Sequence, residues 1–375
     1  MQRIAQRADA TLLLADGTVF HGKAIGKKGT TGGELCFNTG MTGYQEIYTD
    51  PSYFGQIVIH TMAHIGNYGV VKDEVESDSV KISGMICDGF SGLYSRTGAD
   101  DNLDNYLAEN GVVGIAEIDT RKLVKHIRHK GVMNAIISSE ILKVADLHEE
   151  LKLVPDMESL ELASQVMTSK PYSVGPESGK RVAVLDYGVK RNMINQLVMQ
   201  DLNCVVFPGN AELKEILAFE PDAFFVSNGP GDPASMGYAV KTIQKVLETK
   251  KPLFGICMGH QLLARAYGLS TFKMKNGHRG LNHPVKNLIS GHCEITSQNH
   301  GFAVSLEEVD NHADLELTHK NLNDNSVEGI RTKNGHAFSV QYHPESNPGP
   351  HDSRYLFGQF KAMLGNKQPV LYPGN

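Results

Sequence analysis

Residues 252–261 read PLFGICMGHQ, and this stretch decides the fold of the second half of the chain. An apolar run typical of a strand meets the pattern Gly-x-Cys-x-Gly and continues directly into a helical pattern. The two glycines permit a turn tight enough to present the residue between them. A free cysteine is most often a small buried apolar residue, but this context favours a nucleophile. We predict that Cys257 is that nucleophile, because the start of a helix favours the thiolate.

The segments around this bend alternate between strand and helix patterns. Solid apolar strands separated by amphipathic helices predict an α/β domain whose parallel sheet is buried on both faces. Active sites in such sheets lie beyond the carboxyl ends of the strands. The predicted strands are 182–185, 204–207, 223–226 and 252–256, and the predicted helices are 189–200, 211–219, 238–249 and 261–267.

A His-Pro-Glu sequence supplies the base that a thiol nucleophile needs. Residues 336–342 have a strand pattern, and Pro344 favours an extended conformation at His343. Residues i and i+2 of an extended chain point to the same side, so Glu345 can hold the imidazole towards Cys257. The chain contains 16 histidines, so the dipeptide alone means little. Its combination with the cysteine bend makes the prediction specific.

A third polar segment, SNGPGDP at 227–233, also follows a predicted strand. Gly229 and Gly231 leave backbone N–H groups uncovered, and such groups can stabilise an oxyanion together with the N–H of Met258. Taken alone, the segment fits a simple Pro-Gly turn better than an oxyanion site. A fourth polar segment, at 299–302, reads NHGF and is weak evidence by itself.

A metal site is the competing interpretation of the histidines in this half. Their spacings match no zinc pattern, and no pair falls at i, i+4. We therefore predict that the chain binds no metal. The residues considered for such a site are His278, His283, His292, Cys293 and His300.

The first half of the chain has a different texture, which predicts a β-rich mixed domain. Short strand patterns and turns fill 11–90, and a helix is expected near 119–130. The glycine-rich stretch 22–34 lacks the spacing of a phosphate-binding loop, so we predict a solvated loop there. Residues 168–180, TSKPYSVGPESGK, have the composition of an exposed linker. We predict domains at 1–165 and 181–375, with the linker at 166–180.

Composition excludes several classes of protein. Lys plus Arg is 36 and Asp plus Glu is 42, and a formal charge of −6 gives no support for nucleic-acid or membrane-surface binding. The five cysteines are odd in number and widely spaced, so a secreted disulfide scaffold is not indicated. The amino terminus is charged and interrupted, unlike a signal peptide, and no apolar run spans a membrane. We expect a cytoplasmic protein.

The motifs FGICMGHQLLA, SNGPGDP, QNHGFAV and HPES together resemble the class I, or triad, glutamine amidotransferase family over 181–365. The resemblance implies a flavodoxin-like α/β fold and hydrolysis of glutamine through a glutamyl-thioester. It implies that Cys257 is the nucleophile, His343 the general base and acid, and Glu345 the residue that orients the histidine. It further implies that the backbone N–H groups of Gly229 and Met258 bind the oxyanion.

Five further motifs occur along the chain: FNTGMTGYQEIYTDPSY (37–53), HIGNYG (64–69), GIAEIDTRKLVKHIRHKG (114–131), MKNGHRGLNHPV (274–285) and PESNPGPHDS (344–353). Together they resemble the small-subunit family of carbamoyl-phosphate synthase. The resemblance implies that Ser52 reaches the glutamine from the first domain, and that four residues of the second domain hold the substrate: Gln261, Asn299, Gly301 and Phe302.

The same resemblance implies the reaction and the partner. The chain is expected to hydrolyse L-glutamine and to deliver ammonia, through an internal tunnel, to a large synthetase subunit. That subunit is expected to make carbamoyl phosphate from bicarbonate and ATP for pyrimidine and arginine synthesis, in a heterodimer or a higher oligomer. ATP, Mg²⁺ and K⁺ are expected in the large subunit and no cofactor in this chain, which has no evident nucleotide-binding loop.

Three other functions compete with this one. An amidotransferase subunit for guanylate or anthranilate synthesis would lack a domain containing 37–53. A non-catalytic regulatory scaffold would be favoured by loss of a triad residue, yet all three are present. A cysteine peptidase on the same fold would not explain Ser52, Gln261 and Asn299 in the glutamine motifs.

Overall fold

The computed structural model describes residues 7–365 of the chain. It divides into two compact units, the first ending at Met157 and the second beginning at Glu158. The division falls before the boundary predicted at 165. The segment 166–180 is also more than a connection, because Tyr172–Val174 form a strand of the second unit.

The first unit is built around a closed barrel of seven strands, in the order β1-β2-β8-β6-β4-β3-β9. Alternate residues of these strands share one buried face, which is why Leu12, Leu14, Ile57 and Ile59 fall in one apolar cluster. The strands of the first unit are β1 (Asp9–Leu14), β2 (Val19–Gly26), β3 (Thr30–Asn38), β4 (Gln56–His60), β5 (His64–Ile65), β6 (Gly84–Ile86), β7 (Gly89–Phe90), β8 (Val113–Ala116) and β9 (Asn134–Ser138). Strands β5 and β7 pair with each other outside the barrel. The helices of this unit are α1 (Tyr44–Thr49), the 3₁₀ turn Pro51–Tyr53, α2 (Leu103–Glu109), α3 (Thr120–Lys130) and α4 (Val144–Leu151).

The prediction of a solvated loop at 22–34 is wrong. These residues supply the end of β2 and the start of β3 in the barrel. A Cβ at Gly22 would lie 2.2 Å from the carbonyl oxygen of Ala116, so the glycine admits a close approach of β8. Glycines needed for tight strand packing therefore gave this segment the composition of a loop.

The helix expected near 119–130 is present as α3. The Asp119 side chain accepts a hydrogen bond from the Lys122 backbone N–H at 2.8 Å, which caps the first turn. Leu123 and Ile127 are buried, one helical turn apart.

The second unit contains a ten-stranded sheet in the order β10-β12-β11-β13-β14-β19-β18-β17-β15-β16. Its strands are β10 (Tyr172–Val174), β11 (Lys180–Asp186), β12 (Leu202–Pro208), β13 (Ala223–Val226), β14 (Leu253–Ile256), β15 (Thr271–Asn287), β16 (Cys293–Val304), β17 (Leu315–Asn321), β18 (Val327–Thr332) and β19 (Ala337–Val340). Its helices are the 3₁₀ turns Ala163–Gln165 and Pro233–Ser235, α5 (Arg191–Val198), α6 (Leu213–Ala218), α7 (Gly237–Glu248), α8 (Met258–Ala266), α9 (Leu306–Asp310) and α10 (Tyr355–Met363).

The predicted α/β fold class is confirmed in this unit, where β12, β11, β13, β14 and β19 are mutually parallel. Both faces of this part of the sheet are covered, since Phe224 and Leu253 belong to one apolar cluster and Phe225 and Phe254 to another. Helix α8 begins at Met258, three residues earlier than the sequence pattern indicated, so the bend at 257 has no intervening loop. Within residues 7–365, no helix combines the length and apolar character needed to cross a bilayer.

The antiparallel half of the sheet was not predicted. Strands β18, β17, β15 and β16 extend the parallel part, and β15 and β16 form a long irregular hairpin. An isolated bridge joins Ser297 to His343. The hairpin thereby brings the NHGF segment beside the end of β19.

Candidate active site

Cys257 occupies the bend between β14 and α8. Its backbone angles, φ 54° and ψ −103°, are strained for a residue with a side chain. The Cys257 N–H donates to the carbonyl oxygen of Val340 at 2.9 Å, and Gly259 N–H donates to that of Ser227 at 3.0 Å. A Cβ at Gly259 would lie 2.3 Å from the Val226 carbonyl oxygen, so only glycine lets the helix start this close to β13. The predicted strand–turn–helix bend is therefore present, and it is fixed from both neighbouring strands.

His343 and Glu345 lie just beyond the end of β19 and are both buried. The Nδ1 atom of His343 is 2.8 Å from Oε1 of Glu345. This contact places the ring N–H on Nδ1 and leaves Nε2 as the atom that can exchange a proton. The predicted side-by-side arrangement of residues i and i+2 is what forms the pair.

The electrostatics of the pair favour its charged form. Burial lowers the pKa of His343, but the charges of Glu345 and Cys257 and hydrogen bonds to both residues outweigh burial and raise it to about 10. Burial raises the pKa of Glu345, but the positive charges of Lys190 and His343 outweigh it and lower it to about 2. The surroundings therefore favour an imidazolium beside a carboxylate.

The thiol of Cys257 and the imidazole of His343 are neighbours. Cys257 raises the pKa of His343 both by charge and by hydrogen bonding. His343 Nε2 is buried and has no well-aligned hydrogen bond within residues 7–365. Catalytic hydrogen bonds are often loose before substrate binds. The Sγ atom of Cys257 also lies 3.6 Å from the backbone oxygen of Asn299, which places the hairpin strand β16 against the nucleophile.

Lys190 is a residue of this site that the sequence reasoning missed. Its Nζ atom donates to Oε1 of Glu345 at 2.9 Å and to the backbone oxygen of Asn347 at 3.2 Å. The side chains of Lys190 and Glu345 are 5% and 0% exposed, so the ion pair is shielded from water. Lys190 follows β11 at the start of α5, and the rule that sites lie beyond strand ends could have found it.

The SNGPGDP segment follows β13, the strand next to β14. Ser227 Oγ accepts a hydrogen bond from the Tyr187 backbone N–H at 2.9 Å, which ties the segment to the end of β11. A Cβ at Gly229 would lie 2.2 Å from the Tyr187 carbonyl oxygen, so the backbone here is in close contact with its neighbour. Because β13 and β14 are parallel and adjacent, Gly229 and Met258 follow neighbouring strand ends. The two predicted oxyanion donors thus follow the ends of strands at the same edge of the sheet.

The predicted glutamine-binding residues of the second unit lie around the same edge. The Nε2 atom of Gln261 donates to the backbone oxygen of Phe302 at 2.9 Å and to Oε1 of Gln341 at 3.0 Å. Both N–H groups of the amide are therefore used, which turns its oxygen away from these partners. Asn299 and Gly301 flank this contact on β16.

Ser52 belongs to the first unit. It lies in the 3₁₀ turn Pro51–Tyr53, where its backbone N–H donates to Oδ1 of Asp50 at 2.9 Å. The residue is 8% exposed. Its contact with glutamine stays a prediction.

Three of the five residues considered for a metal site do come together. The His278 ring centroid lies 5.2 Å from that of His283 and 4.9 Å from that of His300. His292 and Cys293 are exposed where β16 begins. Among the described residues, His278, His300 and Glu328 have potential ligand atoms within 4.8 Å of one another, but their nitrogen and oxygen atoms also pair with other side chains.

His278 is expected to make the folded protein less stable at alkaline pH. Burial lowers the pKa of His278. The charges of Asp324 and Glu328, together with the hydrogen bonds that His278 makes to them, outweigh burial and raise this pKa to about 9. A pKa raised above the ordinary 6.5 gives stabilisation that is complete below that value and is lost as the pH rises through about 9. At about 1.4 kcal/mol per unit, the contribution is about 3 kcal/mol.

Denaturant unfolding of the wild type and of His278→Asn measures this contribution. We expect the difference in unfolding free energy to be largest near about pH 6 and to shrink by about pH 9.5. A difference that stays constant across this range would contradict the assigned charge on His278.

Comparison with protein families assigns each half of the chain. A family model described as "Glutamine amidotransferase class-I" matches residues 183–363. A second, described as "Carbamoyl-phosphate synthase small chain, CPSase domain", matches residues 12–137. The second match contains the motif at 37–53 that other amidotransferase subunits were expected to lack.

Curated relatives match the chain along nearly its whole length. A protein of Synechococcus sp. named carbamoyl phosphate synthase small chain is 48% identical over 380 aligned residues, covering 98% of this chain and 96% of that one. The chain belongs to the carbamoyl phosphate synthase small chain family. Small chains of Chlorobaculum tepidum and Aquifex aeolicus are 48% and 46% identical, and cover 96% and 95% of this chain and 98% and 99% of their own. Membership of the small-chain family confirms the resemblance, including its first domain.

Proposed function

We propose that Cys257, His343 and Glu345 hydrolyse glutamine to glutamate and ammonia through a glutamyl-thioester. The family gives the overall activity, since the chain is the glutamine-hydrolysing amidotransferase subunit of carbamoyl-phosphate synthase. One observation carries the residue assignment: the strained Cys257 lies beside a buried histidine that is hydrogen-bonded to a buried glutamate.

The first half-reaction releases ammonia. The Cys257 thiolate attacks the side-chain carbonyl carbon of glutamine, a C–S bond forms, and the electron pair moves to the carbonyl oxygen. The backbone N–H groups of Gly229 and Met258 donate to this oxyanion. His343 gives its Nε2 proton to the amide nitrogen, the C–N bond breaks, and ammonia leaves. The enzyme is left as a thioester with a neutral His343.

The second half-reaction regenerates the nucleophile. Neutral His343 accepts a proton from water, and the resulting hydroxide attacks the thioester carbonyl. The C–S bond breaks, glutamate leaves, and the thiolate–imidazolium pair is restored. Glu345 keeps the ring in one tautomer throughout and stabilises the imidazolium.

The amino-acid end of glutamine is held by the surrounding segments. The amide oxygen of Gln261, whose N–H groups are engaged elsewhere, accepts from the α-ammonium group. Backbone groups of Asn299, Gly301 and Phe302 line the substrate on the hairpin side. Gly231 on the neighbouring loop completes the contacts of the second unit.

The ammonia is used by a large synthetase subunit, with which this chain forms a heterodimer or a higher oligomer. That subunit binds ATP, Mg²⁺ and K⁺ and makes carbamoyl phosphate from bicarbonate. Ammonia travels to it through an internal tunnel, because release to solvent would protonate it. The five cysteines are odd in number and widely spaced, which supports a cytoplasmic location for the complex.

A reactive glutamine analogue tests the assignment of the nucleophile. The complex with the large subunit is treated with a diazoketone analogue of glutamine and digested for mass spectrometry. We expect one adduct, on Cys257, which glutamine prevents. Cys293 is exposed and serves as the internal control, since modification there would report accessibility alone. Labelling of Cys293 without Cys257 would contradict the proposed function.

A further inference from the structure

A buried polar cluster lies on the hairpin face that the proposed mechanism does not use. In the β15–β16 register, His278 pairs with His300, Arg279 with Asn299 and Gly280 with Gln298. Neighbouring residues of a strand point to opposite faces. His300 and Gln298 therefore lie on the face opposite Asn299, together with His278.

The centre of this cluster is the carboxylate of Glu328 on β18, which is 0% exposed. Its Oε1 atom accepts from Nδ2 of Asn321 at 2.7 Å, and its Oε2 atom accepts from Nε2 of Gln298 at 2.9 Å. His278 Nδ1 lies 3.6 Å from Oε1, and His278 Nε2 lies 2.8 Å from Oδ2 of Asp324. A buried carboxylate needs such donors and a compensating cation, and His278 supplies the cation.

Glu328 determines which way the Gln298 amide points. One Gln298 N–H is given to Glu328, and the other is directed to Oγ1 of Thr296 at 3.2 Å. The amide oxygen therefore faces Nε2 of His300 at 2.9 Å. The reversed amide would set its oxygen against the carboxylate, so the charge on Glu328 fixes one orientation.

The cluster continues from His300 to the predicted glutamine-binding residues. Burial and the charge of His278 hold the pKa of His300 well below 6.5, so the neutral ring donates from one nitrogen only, either Nε2 towards Gln298 or Nδ1 towards the backbone oxygen of Phe302, 2.8 Å away. The same oxygen of Phe302 accepts from Nε2 of Gln261. A second connection runs through Gln341, whose backbone N–H donates to the Glu328 carbonyl oxygen at 2.9 Å and whose Oε1 accepts from Gln261. The first connection reaches the Glu328 carboxylate, whereas the second reaches only the backbone of Glu328.

We propose that Glu328 and His278 are positioning residues for glutamine binding, which hold Gln298 and His300 in one arrangement and thereby orient the Gln261 amide. The inference rests on the proposed function, because it takes Gln261 as a ligand of glutamine. It assigns a role to a charged pair that touches neither substrate nor the reacting atoms.

The variant Glu328→Gln tests the proposal in the complex with the large subunit. The neutral amide no longer dictates the orientation of Gln298, so His300 loses its fixed partner. The backbone oxygen of Phe302, which His300 contacts and Gln261 donates to, is then no longer held in one arrangement. Gln261 holds the amino-acid end equally in the bound substrate and in the transition state. A misoriented Gln261 amide therefore raises the KM for glutamine rather than lowering kcat. We expect the KM for glutamine to rise about tenfold, the effect of losing one oriented hydrogen bond. We expect kcat to change less than about twofold and ammonia-dependent synthesis to be unchanged.

Two further variants keep the test decisive. Glu294→Gln is the matched control, because Glu294 is also a buried carboxylate of this sheet, but its partners are Tyr355, Asn287 and Tyr342. We expect it to leave the KM for glutamine unchanged. Asp324→Asn removes the outer partner of His278 at a half-exposed position, and we expect it also to raise the KM for glutamine. This variant carries the test if Glu328→Gln does not fold.

The proposal is overturned if Glu328→Gln and Asp324→Asn both keep the wild-type KM, or if Glu294→Gln raises the KM as much as Glu328→Gln does. Diazoketone labelling separates this failure from failure of the proposed function. If Cys257 is labelled in the wild type while the KM values do not move, only the positioning role is rejected. If Cys257 is not labelled, the proposed function itself fails, and the positioning role fails with it.

Discussion

Replacing Cys257 by serine is expected to abolish glutamine-dependent carbamoyl phosphate synthesis while ammonia-dependent synthesis by the complex continues. A serine hydroxyl is close in size to the thiol but is a far weaker acid, so His343 cannot keep it ionised. Loss of the nucleophile from a catalytic triad lowers kcat by about 10⁴-fold or more. Added ammonia bypasses this step, because the nitrogen it supplies is the product of the reaction that Cys257 performs.

The measurement compares product formation from glutamine and from ammonium salt in the same purified complex. Cys293→Ser is the matched control, since Cys293 is the exposed thiol of the same unit and the same exchange there removes no proposed function. It should retain both activities. Substantial glutamine turnover by Cys257→Ser would reject the nucleophile, and loss of both activities would show that the substitution damaged the complex instead.

The parts of the structure that the sequence predicted are those that depend on neighbouring residues. The strand, bend and helix around Cys257 follow from apolar residues and glycines within ten positions of one another, and the structure contains them. The relation between His343 and Glu345 follows from the two-residue repeat of an extended chain. Each of these features is fixed by local backbone geometry, which a sequence pattern records directly.

The parts that were missed or wrong depend on contacts between distant segments. Lys190 meets Glu345 only because α5 and the segment after β19 meet at the same edge of the sheet. The hairpin of β15 and β16 is irregular, with register shifts on both sides of the segment 278–280, so it shows no clean alternation in sequence. The barrel glycines of 22–34 misled for a related reason, since a close strand and a loop both favour glycine.

The substitution Lys190→Met is expected to lower the free energy of unfolding by about 3–5 kcal/mol, because it leaves the buried Glu345 carboxylate without one of its two cations. The loss of unfolding free energy should become smaller at acid pH. The pKa of Glu345 is lowered to about 2 from an ordinary 4.5, so its stabilisation is complete above about 4.5 and is lost as the pH falls through about 2. The difference in unfolding free energy between wild type and variant is therefore largest near neutral pH and becomes smaller in acid.

The glutaminase activity of Lys190→Met should also fall, because His343 becomes the only cation on the carboxylate and releases its proton less readily.

Lys361→Met provides the matched comparison for this substitution. Lys361 pairs with Asp201 at 3.0 Å, but the two side chains are 45% and 82% exposed, so water and salt screen the pair. Exposed ion pairs of this kind contribute about 0–1 kcal/mol, and the same change from lysine to methionine should cost no more than that. Denaturant unfolding of both variants at neutral pH and near about pH 3 separates the two cases. If Lys190→Met costs as little as Lys361→Met, the carboxylate of Glu345 does not depend on Lys190, and the charge balance assigned to the triad is incorrect.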